Sequence, residues 1–289
     1  MKIIKRKTKK LFHRIGQFLI FKTKPDSPFG ERIVASEGEY MNLYDEARSK
    51  TYPEVNKYQN LTGFKLDDDW VNELALHTQI VKKQSTLNYA HGKILYSALR
   101  SYLTHEDSNI EGSSINIIET GTARGFSALC MAKAADDSEI SGSIITFDLI
   151  PNQKKMYWNC IDDHEGKKTR LELLNKWFTL VSKYIIFVEG DTRATLRDIS
   201  VSRVNFAFLD GAHTYEDVMF EFSTISDKQL SGDMIVYDDY NAESFPGIVR
   251  AVDEICLNHG YSKTVIMTDD NRGYVVAKKM ISDVEQSQY

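Results

Sequence analysis

The sequence predicts an α/β protein: a doubly wound, mostly parallel seven-stranded sheet with an antiparallel final strand and an N-terminal helical extension. Three observations predict it. Short runs rich in β-branched residues recur at 115–119, 143–148, 184–189, 204–210, 233–238, 263–268 and 273–278. Helix-like segments separate the first six, the alternation expected of parallel neighbours joined by crossover helices. The last two are joined only by DDNRG, too short for a crossover, so they form an antiparallel hairpin.

Ahead of the sheet, apolar residues recur at three- and four-residue steps from Trp70 to Leu103, which predicts one or two helices. Asp67, Asp68 and Asp69 stand where a helix N-terminus favours acids. Residues 25–68 are turn-rich with no sustained period and read as irregular structure wrapped on the domain. The chain thus divides into a basic amphipathic segment (1–24), an irregular and helical extension (25–104) and the sheet domain (105–289).

Charge is unevenly spread. Residues 1–24 hold nine Lys or Arg and no acid, which leaves 27 basic against 41 acidic side chains in the remaining 265 residues. So acidic a body disfavours a nucleic-acid partner. The basic head interleaves its cations with Ile3, Ile4, Leu11, Phe12, Ile15, Phe18, Leu19 and Phe21. Its apolar run is short, Gln17 interrupts it and no small-residue cleavage site follows, so it does not read as a secretory signal. A bilayer span needs about 20 apolar residues. It reads as a solvated helix or terminus packed on the body, or as an interfacial helix drawn to anionic lipid or an acidic partner. Cys130, Cys160 and Cys256 are scattered, which suits a reducing compartment and gives neither a disulfide framework nor a zinc cluster. The expected location is cytoplasmic, peripheral to a membrane if the head binds lipid.

In such sheets ligands bind beyond the carboxyl ends of the strands. The first strand ends in Glu119, Gly121 and Gly125, an E-x-G-x-x-x-G turn entering a helix whose N-terminus can face an anion. The dinucleotide fingerprint would need glycine at 123 and 126, where Ala123 and Phe126 stand. That spacing argues against an NAD-type oxidoreductase. The second strand ends in Asp148, at the distance where an acid can bind a ribose diol. The third leads into Gly190, Asp191 and Thr192, where Asp191 or Thr192 would cap the next short helix. The fourth ends in Asp210, with His213 beyond, and the fifth in Asp238 and Asp239. Each acid alone reads as a cap or turn residue. Three in one crevice are costly unless a cation neutralises them, and an all-oxygen set suits Mg²⁺ or another hard divalent ion.

These stretches — ETGTARGFS, FD at 147–148, EGDTRATL, FLDGAHTYEDV and the DDYN…PGIVRAVDE segment — resemble the class I S-adenosylmethionine-dependent methyltransferases. The subgroup most similar is that of metal-dependent macrolide-sugar O-methyltransferases, and the resemblance covers roughly 112–280. It implies a Rossmann-like methyltransferase fold in which 105–289 binds the cofactor. Glu119, Thr120, Gly121, Thr122, Gly125 and Ser127 would hold its methionine part and Asp148 its ribose. Asp191 and Thr192 would lie along the adenine, with Asp210 also near the cofactor. Asp210, Asp238 and Asp239 match the metal-ligand positions, with His213 as candidate general base beside Asp210. Independently of the resemblance, the excursion after the second strand leaves on the ligand side, so its Tyr157, Trp158 and His164 either help cap the acceptor pocket or are plain core. The expected activity is metal-assisted O-methyl transfer to a hydroxyl of a sugar or similar small metabolite or glycan. A noncatalytic binding module that retained the fold is the alternative. A second copy of the chain is a further partner this reading allows.

Overall fold

The computed structural model describes residues 29–104 and 114–280, so the basic 1–24 segment lies outside the described residues. Four helices come first: α1 (Glu37–Ser49), α2 (Pro53–Thr62), α3 (Asp68–Thr78) and α4 (His91–Thr104). β1 (Ile115–Thr120) leads through α5 (Phe126–Asp137) to β2 (Gly142–Asp148). A long excursion with the short helices α6 (Arg170–Leu173) and α7 (Phe178–Tyr184) precedes β3 (Ile185–Glu189). Then follow α8 (Thr192–Thr195), β4 (Phe206–Leu209), α9 (Tyr215–Ile225), β5 (Met234–Tyr237), α10 (Pro246–Asn258), β6 (Tyr261–Met267) and β7 (Gly273–Lys279).

The strands form one sheet in the order β3-β2-β1-β4-β5-β7-β6. β1 to β5 pair in parallel, whereas β7 runs antiparallel to both β5 and β6. The seven strands and the antiparallel last strand are those the sequence predicts. Because β1 is flanked by β2 on one side and β4 on the other, the connections reverse direction there and open a crevice at the strand ends. β4 is buried on both faces, as parallel central strands are. Phe206 and Phe208 face one core layer with Leu95, Leu99 and Leu129 of α4 and α5. Ala207 and Leu209 face the other with Phe222 and Val252 of α9 and α10.

Of the segment 25–68, the described residues 29–68 are more regular than expected, since α1 and α2 occupy much of them. Only Tyr40 and Ala47 of α1 are buried, too thin an apolar stripe to generate a period. The helix is fixed by its end instead: Ser36 and Glu39 form a reciprocal capping box. α2 is opened by Pro53 and closed by Gly63 at φ +79°. As the aspartate run suggests, Asp67 caps α3, accepting from the Trp70 amide at 2.8 Å.

The excursion does not cap a pocket with Trp158 and His164. Trp158 is fully buried, edge-on to Phe29, and its indole N–H donates to the Lys168 carbonyl at 2.8 Å. A His164 ring nitrogen lies 3.1 Å from the Ala35 carbonyl, and Tyr157 bridges to Gly30 through paired backbone hydrogen bonds. His77 of α3 meets Asp162 at 2.6 Å, and the Tyr40 hydroxyl of α1 donates to Asn159 at 3.1 Å. These aromatics and polar groups clamp the N-terminal extension to the sheet. Among the described residues no helix is long and apolar enough to cross a membrane.

Candidate active site

The β1 end is built on Glu119, which is wholly buried. Hydroxyls of Ser127 on α5 and Thr146 on β2 donate to its two oxygens. Burial outweighs those bonds and pushes its pKa up to about 7. Gly121, at φ +89°, is demanded by the protein itself: a Cβ there would lie 2.3 Å from the Asp210 carbonyl oxygen. The glycine therefore lets the ends of β1 and β4 touch. Gly125, at φ +88°, starts α5 without any side-chain cap, so the first-turn N–H groups of that helix stay free for an anion.

Asp148 ties the same turn to β2, accepting from the amides of Ala123 (2.6 Å) and Ile150 (2.8 Å). Arg170 of α6, almost fully buried, binds the Ala123 carbonyl at 3.1 Å and stands 3.9 Å from Asp148. Burial dominates both partners, raising Asp148 and lowering Arg170, as expected for a pair that is near but not in contact. Asp191 caps α8 by accepting from the Arg193 amide at 2.9 Å, with Thr192 beside it as the first helical residue.

At the other side of the crevice, the Asp210 amide donates to the Thr120 carbonyl at 3.2 Å. Burial, then the charges of Asp238 and Asp239, hold the Asp210 carboxyl well above the usual range, with Arg272 opposing them. Asp239 adopts φ +56°, a left-handed conformation that Asp tolerates better than most residues. Its Oδ2 lies 2.9 Å from His213 Nε2. That contact raises the His213 pKa against the opposing effect of burial, and Phe245 flanks the ring at 4.8 Å. Asp210, His213 and Asp239 can each present a ligand atom such that all lie within 4.8 Å of one another.

Asp238 does not join them. Its side chain has no exposure, Arg272 grips both oxygens (Nε to Oδ1 at 3.0 Å), and the Asp239 amide adds a bond at 2.6 Å. Burial alone would raise Asp238; the adjacent guanidinium reverses this and holds it below the ordinary carboxylate range. Of the expected trio Asp210, Asp238 and Asp239, the structure brings Asp210 and Asp239 together with His213, while Asp238 is held by Arg272. The sequence reading missed Arg272 because it took DDNRG only as a short loop. Antiparallel pairing supplies the missing signal, since the Tyr237–Val275 register and the bond from the Tyr240 amide to the Gly273 carbonyl (2.9 Å) bring Arg272 to the β5 end.

The donor set fits a hard cation at Asp210 and Asp239. The uncapped α5 N-terminus beside Asp148 fits the charged end and ribose of a nucleoside cofactor.

Residues 118–240 match a family model described as a methyltransferase domain. Cofactor-bound Rv0187 from MTB has a TM-score of 0.52 at 15% identity, over 75% of this chain and 92% of that one. The O-methyltransferase NovP gives 0.52 at 16%, over 78% of this chain and 100% of its own. TomG from Streptomyces achromogenes, an O-methyltransferase in complex with SAM, gives 0.51 at 15%, over 75% and 92%. At such identities the likeness establishes the fold alone, a Rossmann-like sheet shared with these proteins. The matched methyltransferase domain lies on that fold and spans the strand ends that carry the candidate site. No curated protein gives a significant sequence match.

Proposed function

We propose that the chain transfers the methyl group of S-adenosylmethionine to a hydroxyl of a sugar or similar small metabolite, assisted by a divalent cation such as Mg²⁺. The observation that carries this reading is the convergence of Asp210, Asp239 and His213 beside the glycine turn of β1. When bound, the cofactor supplies an electrophilic methyl group and the cation lowers the pKa of the acceptor hydroxyl. The α5 N-terminus and the 121–125 turn hold the methionine part, Asp148 the ribose, and Asp191 with Thr192 the adenine side. Asp210 and Asp239 hold the cation. His213 Nε2 takes the acceptor proton, its basicity increased by Asp239. The acidic body supports a small-molecule rather than a nucleic-acid acceptor. The sugar-like acceptor rests on the resemblance of the strand-end motifs, and the fold shared with NovP and TomG is consistent with transfer to oxygen. A cytoplasmic location, with the 1–24 segment at a membrane surface or acidic partner, belongs to the same proposal.

Arg272 favours one second reading. A half-buried guanidinium already offsets part of the acidic charge, so it can serve as the site's resident cation without a metal. Turnover measured as S-adenosylhomocysteine release separates the two. We expect EDTA to stop it, Mg²⁺ to restore it, and Asp239→Asn to lose most activity while still binding S-adenosylhomocysteine by calorimetry. Undiminished turnover in metal-stripped protein would move the function to the second reading. His213→Ala should lower the rate about 100-fold with metal affinity retained; lost metal affinity instead makes His213 a ligand.

A further inference from the structure

A second cavity, of about 490 Å³, lies among α1, α2, α3 and the start of α4. Its size is that of a small-molecule site, and no residue of the candidate active site lines it. Three features define its chemistry.

Gln59 lines the cavity, is 2% exposed, and has no hydrogen-bond partner for either Oε1 or Nε2 among the described residues. A buried primary amide left unpaired is costly. It calls for a ligand that donates and accepts at once, as a hydroxyl does. The surrounding cations are largely paired: Arg48 to Asp45 (3.0 Å), Lys50 to Glu46 (3.5 Å), and both Lys65 (3.0 Å) and Lys93 (2.6 Å) to the one carboxylate of Asp68. A single net positive charge remains, shared by two lysines, against which a phosphate or carboxylate gains less than at a cluster of free cations. Finally, Tyr52 and Tyr89 supply ring surface beside the amides of Asn56, Asn60 and Asn72. Apolar faces next to convergent amides match a sugar ring, which carries C–H faces and a hydroxyl rim.

We propose that this cavity is a binding site for a neutral saccharide, with Gln59 reading two of its hydroxyls and Tyr52 and Tyr89 packing on its C–H face. The cavity backs onto the β6–β7 hairpin. The Tyr89 hydroxyl donates to Asn72 at 2.7 Å, while the neighbouring Asn88 donates to Asp270 at 2.9 Å and accepts from Arg272 at 3.5 Å. A sugar held there therefore sits one residue of chain away from the hairpin that carries Arg272.

Saturation-transfer NMR on the full chain tests this with maltotriose and methyl β-D-glucoside as probes and glucose 6-phosphate as the charged counterpart. Transfer to the neutral sugars should persist under saturating S-adenosylhomocysteine and in Asp239→Asn. It should weaken at least tenfold in Gln59→Leu and in Tyr52→Ala. Gln59→Leu should melt no lower than wild type, since it removes the unmet amide, and should still bind S-adenosylhomocysteine. Any of four results overturns the proposal: no transfer to either neutral sugar, transfer undiminished in Gln59→Leu, preference for glucose 6-phosphate, or loss of transfer in Asp239→Asn. The last would place the sugar at the carboxylates instead.

Discussion

The two halves of the strand-end crevice neutralise their acids in different ways. At β1 and β2, Glu119 and Asp148 are satisfied by hydroxyls and backbone amides, all neutral donors. At β4 and β5, Asp238 is satisfied by a guanidinium, Asp239 by an imidazole, and Asp210 is raised by its neighbours' charge. Neutral donors keep their own ionisation whatever the salt, although Glu119 itself, with its pKa pushed up to about 7, changes protonation near neutrality. The charged half depends on every member keeping its ionisation, so it is the half that responds most to a metal and to loss of one partner.

Removing the guanidinium should break this contrast most severely. Arg272→Met leaves Asp238 charged and buried, and we expect a loss of about 3–5 kcal/mol in urea unfolding at pH 7. The loss should shrink on acidification as Asp238 takes up a proton, and Mg²⁺ should stabilise the variant more than the wild type. A variant as stable as wild type at pH 7 would show that Asp238 is solvated.

The seam between the halves gives a smaller, pH-resolved effect. Glu221 of α9 is 3% exposed and among the described residues has a single donor, the Thr120 hydroxyl at 3.1 Å. Burial lifts its pKa from 4.5 to about 8. The native state therefore binds the proton more tightly than the unfolded chain, and stability falls as pH rises from about 4.5 to about 8. Glu221→Gln should remove this slope, raising the melting temperature by roughly 5 °C at pH 8 and converging with wild type near pH 5. Parallel melting curves across that range would mean that Glu221 titrates normally.

The mildest change belongs to the neutral half. Ser127→Ala removes one of two hydroxyls from Glu119, and a loss of about 1 kcal/mol is expected, with little dependence on salt. A loss comparable to that of Arg272→Met would erase the distinction between the halves.

How much of this was legible in the sequence follows from range. β-branched runs and the acids that end them are local, so all seven strands and Glu119, Asp148, Asp210 and Asp239 could be located without coordinates. α1 and α2 were hidden because their information sits in caps at Ser36, Glu39, Pro53 and Gly63 rather than in a stripe. The partner of Asp238 was non-local. Asp238 meets Arg272 across 34 residues of chain, and only strand pairing reveals that meeting. Arg170 was hidden likewise, reaching back 47 residues to the Ala123 carbonyl.

The insertion of β7 between β5 and β6 has a consequence for synthesis. A chain emerging from the ribosome completes β6 before β7 exists, yet among the described residues β6 has no neighbour in the sheet other than β7. Arg272 lies just ahead of that strand, so Asp238 has no counter-ion until the closing segment has left the exit tunnel. Vectorial folding can settle the glycine turn and its neutral donors early. The acidic centre waits for the last strand, so a chain halted before residue 272 holds the neutral-donor half of the crevice without its charge-balanced half.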